Sequence, residues 1–364
     1  MQRQAIMSFL LLFVLLLGAC AKNEVPEQGQ EQEYENPKSE PTQKTFLQTL
    51  ETMQQTFHFV AGWLSNEKIV YVEKQHSNYL LKTFNIKNGE EDELYQSTSM
   101  MTNVLIHPTK QYLLIHTSSD HLSAELKMIN LEGDTIHKIE LASSEIEVEW
   151  NENDANKFLI TTFYEDWSYD TFFYNGHDNE LSRLELGAPF LKWYGEDKIV
   201  YLEEAIQEFS TGNLMSYSME TADTELLQSE VLFFSIENDV LVTAQMIDNQ
   251  VAILRAINLV RETELEWTIS LVDNGFDWMI PSLTVLNDQT ILSYEPNLGN
   301  GEFTDKFQLV KLNNAGKEVL FDQRFNETLI CSDDGVYCLV GPAYGQLLDL
   351  ETLEEQVWLK FREE

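Results

Sequence analysis

Four stretches of this chain hold carboxylates and aromatics in polar surroundings, the residue types that grip a ligand or share a proton: 164–170, 203–213, 273–279 and 295–305. Their candidate ligand contacts are Asp166, Trp167, Asn274, Asp277, Trp278 and Glu302. Carboxylates such as Asp166, Asp277 and Glu302 could do glycosidic chemistry only if the fold brought them within roughly 5 to 10 Å of one another. No other reactive constellation is present. There is no Gly-x-Ser-x-Gly elbow, no His-Glu-x-x-His, no Gly-x-x-x-x-Gly-Lys and no Cys-x-x-Cys, so no catalytic, metal or cofactor site is assigned. The seven His are scattered and read as strand or surface residues. Asn151-Glu152-Asn153-Asp154 and 175–180 offer oxygen ligands, but without the spacing of a calcium loop, and turns use Asn and Asp in any case. Ser332-Asp333-Asp334-Gly335 reads as a turn. If Asp334-Gly335 is a two-residue hairpin loop, Cys331 and Cys338 face each other within disulfide range; a register slipped by one leaves two buried thiols.

The N-terminus carries a chemistry of its own. Arg3 precedes an apolar run from Ala5 to Leu17, too short to span a bilayer and suited to a cleaved signal peptide over residues 1–19. Leu17-Gly18-Ala19-Cys20 resembles a lipobox, which makes Cys20 the expected lipid-bearing residue of the mature chain. Residues 20–44 are rich in Glu, Gln and Pro, read as a disordered acidic tether, and would span about 25 to 30 Å. The net charge of −38 argues against nucleic acid and against lying flat on anionic lipid.

The elements that must position the candidate residues repeat. Seven short apolar runs begin at Ile69, Tyr112, Phe158, Ile199, Val240, Thr290 and Val336, and their mean spacing of about 44 is the period of a four-stranded propeller blade. Ahead of most runs lies a strand ending in a bulky residue such as Trp63 or Trp193, and behind them come hairpin signals such as Asn88-Gly89 and Asn175-Gly176. Ile146, Val148 and Trp150 interleave with Glu145, Glu147 and Glu149 at the two-residue period of a half-buried strand. One short helix is expected over 45–56, where Leu50 and Met53 share a face with Phe46 and Phe57. The expected fold is therefore an all-β propeller over 57–364, seven blades favoured and six the alternative, with most Trp between blades. In such a ring the connections from second to third strand, and from fourth strand to the next blade, emerge on one rim, which gathers the four polar stretches.

Leu105-Ile106-His107-Pro108-Thr109-Lys110-Gln111-Tyr112-Leu113-Leu114 looks like the "SPDGKxLL" hairpin of TolB-type and WD40-like repeats. Residues 348–354 are similar to the "LDLxTGE" turn of quinoprotein-like repeats, with Leu353 where Gly is usual. Together with the lipobox, the tether and the opening Gly62-Trp63-Leu64-Ser65-Asn66-Glu67-Lys68-Ile69-Val70-Tyr71-Val72, the whole chain resembles the YqgU-like β-propeller lipoproteins of Gram-positive bacteria. That resemblance implies a membrane-tethered extracytoplasmic propeller, usually described as six-bladed, without an assigned activity. The resulting expectation is a lipid-anchored, monomeric protein at the outer face of the cytoplasmic membrane. It would bind a protein, peptide or glycan partner without catalysis, and the alternative is a hydrolase or lyase using rim carboxylates.

Overall fold

In a computed structural model, residues 47–203, 211–248, 250–258, 264–273, 278–299 and 302–362 are described. The expected signal peptide over 1–19, Cys20 and the expected tether over 20–44 lie outside them. Seven four-stranded antiparallel sheets follow one another along the chain, each built from four consecutive strands. They occupy residues 57–97, 100–142, 145–184, 191–231, 233–270, 283–324 and 330–357, numbered here as blades 1 to 7.

Each apolar run identified in the sequence is the second strand of a blade, and its alternate residues point into two different cores. Ile69 and Tyr71 pack against blade 7, whereas Val70 and Val72 pack against blade 2. Leu113 and Ile115 face blade 1, and Leu114 faces blade 3. The same division recurs through Leu159, Val200, Val242, Leu292 and Leu339, so each of the seven junctions has its own buried cluster. A strand sandwiched between two neighbours has no polar face to show, which is why these segments are unbroken apolar runs. Trp63, Trp150, Trp193 and Trp358 are buried, and Trp267 and Trp278 are half-buried against the core between blades 5 and 6.

The ring closes between blades 7 and 1 without a shared sheet. The expected helix over 45–56 is instead an extended segment: Leu50–Met53 pairs in parallel with Leu359–Arg362, and residues 45 and 46 lie outside the described ones. Leu50 and Thr52 point inward while Glu51 and Met53 point out, a two-residue alternation hidden inside the helical spacing. A lone helix of this length is marginal, whereas the C-terminal strand offers a full set of backbone partners. Leu50 N–H donates to Trp358 O (2.6 Å), and Thr52 donates to buried Glu73 (2.6 Å). Trp358, fully buried, stacks near Phe84 and donates its indole N–H to Tyr344 O (2.7 Å). On the channel side, Trp63 donates to Ile330 O (2.8 Å).

Replacing Trp358 by Ala should cost about 3 to 5 kcal/mol, because its cavity opens at a junction shared by both chain ends. Denaturant unfolding measures this, and a loss below about 1 kcal/mol would show that closure does not depend on this core.

Candidate functional site

The two faces of the ring differ. On the face where first and second strands join, the hairpins interlock: His107 bonds Asn151 O (3.0 Å), Asn151 donates to Glu196 O (3.2 Å), Asn238 to Val285 O (2.6 Å) and Asn287 to Asp333 O (2.9 Å). Asn238 and Asp239 both take positive φ, the backbone a two-residue hairpin turn requires, and this aims Asn238 at the next blade. Lys110 reaches back to Trp63 O (3.2 Å) and pairs with Asp333 (3.0 Å). These hairpins surround a cavity of about 450 Å³, lined among others by Lys110, Glu152, Glu237, Asn238, Ser332 and Asp333.

The channel raises two carboxyls by enclosing them. Burial is the main cause at Glu237, which is pushed up to about 7 even though Val285 N–H donates to it (2.8 Å), and the nearby charge of Glu152 adds to the shift. Glu152 keeps an exposed surface at the cavity, and crowding by the surrounding protein followed by the charge of Asp239 raises it too. Glu149 is likewise raised by burial despite its ion pair with Lys192 (2.5 Å). Sequence analysis missed this group, because only ring closure makes three hairpins converge; its one local signal was an acid at the hairpin end of an inner strand.

The opposite face is the rim expected to gather the loops. Trp167 sits at the tip of the turn 164–168 with φ 67° and is 92% exposed. Asp166 accepts hydrogen bonds from the Ser168 hydroxyl (2.5 Å) and N–H (3.1 Å), which hold its carboxyl below the usual range. Trp278 pairs with Asp273 in a two-stranded ribbon and is half-buried, so it serves the core as well as the rim. Asn274 and Asp277 lie outside the described residues, and Glu302 opens the third strand of blade 6 opposite Gly299, its side chain not among those described. Of the six candidates, Asp166 and Trp167 are thus together on one turn. Phe190 and Phe325, exposed on blade-to-blade connections (62% and 65%), were not singled out from the sequence. An aromatic just after Ala188-Pro189 in a linker was the signal available for the first.

Cys331 and Cys338 are directly opposite and disulfide-bonded, in the register with Gly335 N–H donating to Ser332 O (2.8 Å). His107, buried against Trp150, is a core histidine whose ring burial keeps from taking a proton readily. Among the described residues no group of three or more His, Cys, Asp and Glu is arranged to hold a metal ion.

A family model described as the YqgU-like 6-bladed beta propeller domain matches residues 85–341. The chain belongs to this YqgU-like family. The matched span runs from the end of the third strand of blade 1 to just past the second strand of blade 7, so it holds five complete sheets and parts of two others, seven in all. A relative named "Uncharacterized lipoprotein YqgU", from Bacillus subtilis (strain 168), is 27% identical over 173 residues, 48% of each chain. The match therefore spans about half the length of that relative. Among solved structures, the uncharacterized protein lmo1340 from Listeria monocytogenes EGD-e superposes with a TM-score of 0.78 at 16% identity, covering 87% of this chain and 99% of that one. An oligogalacturonate lyase in complex with manganese reaches 0.53 at 9% identity over 80% of this chain and 86% of its own, a likeness of fold alone.

The raised Glu237 carboxyl has a consequence for stability. Its stabilising contribution, the bound proton, is complete below the ordinary carboxylate value and is lost as pH rises toward about 7. Glu237→Gln should therefore flatten the stability profile between pH 4.5 and 7, by at most about 1.4 kcal/mol per pH unit, and raise stability above pH 7. Unfolding curves across that window check it; parallel profiles for the two proteins would show that Glu237 titrates normally.

Proposed function

We propose that this YqgU-like protein is a lipid-anchored scaffold at the outer face of the cytoplasmic membrane, whose non-catalytic propeller binds a protein, peptide or glycan partner through the rim. The Cys20 thiol first receives a diacylglyceryl group, cleavage after Ala19 then makes Cys20 the N-terminus, and the two acyl chains give stable anchorage. The acidic tether keeps the propeller near the membrane while its charge keeps it off the anionic surface. The lipoprotein name of the Bacillus subtilis relative supports this reading.

One observation carries the binding half: large apolar side chains stand exposed in the rim connections of blade after blade. Leu122, Trp167, Phe190 and Phe325 all project there, whereas the described connections of the hairpin face expose Leu131 and Leu353 alone among large apolar residues. Burying such side chains against a partner is worth about 25 cal/mol per Å² before the costs of association.

Two measurements test the reading. Metabolic labelling with a tagged fatty acid should mark the protein and not its Cys20→Ala variant; an unlabelled parent, or equal labelling of the two, would refute the anchor. A photo-crosslinker at position 165 in intact cells should capture a partner, and Trp167→Ala with Phe190→Ala should abolish the adduct. Equal capture from position 288 on the hairpin face, or an adduct insensitive to both substitutions, would refute the rim site.

A further inference from the structure

The rim of blades 3 and 4 brings exposed aromatic and acidic side chains together on two adjoining connections. Phe163 lies with its ring 6.0 Å from Phe190 and 6.3 Å from Tyr169, and exposed Trp167 tips the adjoining turn. The linker that presents Phe190 is fixed from below, since Thr161 donates to Pro189 O (2.6 Å) and Ala188 is buried. The turn that presents Trp167 is closed by two backbone bonds of 3.0 Å between Tyr164 and residues 167 and 168. Among the described residues Trp167 and Phe190 stand exposed on these hydrogen-bonded connections, with Phe163 and Tyr169 half-buried beside them.

Around them stand exposed Glu165, Asp166 and Glu185. The nearest cation on the same blade, Arg183, is already paired with Asp170 (2.5 Å), which also accepts from Tyr164 OH (2.9 Å). The described residues of the rim connections include Asp120, Glu165, Asp166, Glu185 and Glu327, and no Lys or Arg. Local N–H and hydroxyl donors keep Asp120 and Asp166 ionised, so this charge persists well below neutral pH.

Building on the rim reading, we propose that this patch docks a basic, apolar polypeptide segment of its partner. Lys or Arg side chains of the segment would meet Glu165, Asp166 and Glu185, while its apolar side chains pack on Phe190, Phe163 and Trp167, where guanidinium groups can also stack. A second copy of this chain would set acid against acid, anionic lipid is repelled for the same reason, and a neutral glycan would stack on the rings but leave the carboxylates unanswered.

The test uses the full lipoprotein in non-ionic detergent and three labelled short peptides: alternating Lys and Leu, alternating Glu and Leu, and alternating Lys and Ser. The Lys–Leu peptide should bind, the other two markedly less well. Two variants, Trp167→Ala with Phe190→Ala, and Glu165→Gln with Asp166→Asn and Glu185→Gln, should each weaken it about tenfold. A control that neutralises Glu132, Glu220 and Glu351 on the opposite face should change affinity less than about twofold, and all variants should melt like the parent because the side chains are exposed. The proposal is overturned by equal weakening in the control, by an aromatic variant that binds normally, or by a Glu–Leu peptide that binds as well. If the Lys–Leu peptide fails while the rim still crosslinks a partner in cells, the partner chemistry is wrong and the rim site stands; if neither binds, both fall.

Discussion

A strand that is apolar on both faces needs a neighbour on each side, and this requirement organises the whole molecule. The second strand of every blade feeds two cores, so an open row of blades would leave one apolar face bare at each end. Joining the ends removes both faces at once. Here closure falls to a parallel strand pair and to Trp358, not to a blade assembled from the two termini, and each four-stranded sheet stays local in sequence. Such local sheets bring the entropic cost of ring closure to a single junction, where Leu50, Trp63, Tyr71 and Leu339 share one cluster.

Closure also divides the surface. The hairpins between first and second strands converge on the central cavity, where bonds from Asn151, Asn238 and Asn287 tie neighbouring blades into a polar collar. Carboxyls crowded inside that collar are less well solvated and face other acids, which is why Glu152 and Glu237 resist ionisation. The connections at the other end are tied as well, Ser282 N–H donating to Asn326 (2.7 Å) and Gly341 N–H to Glu327 (2.9 Å). Trp167 and Phe190 nevertheless project outward there, and the proposed partner site is built on that exposure.

How much of this was legible follows from the range of each interaction. The blade count could be read because the second-strand runs are local and recur; the structure has one sheet for each. The Cys331–Cys338 bridge was legible as one of two registers, and the Ser332–Tyr337 hydrogen bonding selects between them. The segment around Leu50 was misread because its spacing suits a helical face and a strand face alike, and the partner that decides lies three hundred residues away. The pair Asp166 and Trp167 was found because a long polar insertion marks its own turn. Glu237 was not, since its environment is assembled from hairpins of three separate blades, and Phe190 was not, since a single linker aromatic looks no different from a core residue until its exposure is known.

The central claim is that the ring opens at its closure only when the whole domain unfolds. Native-state hydrogen exchange resolved by mass spectrometry reads this directly. Peptides covering Leu50–Met53 and Leu359–Arg362 should exchange with the same free energy and the same denaturant dependence as those covering the second strands of blades 1 and 7. Rapid exchange of the two closing strands while the second strands remain protected would mean that the blades form a self-sufficient row, and would contradict the account.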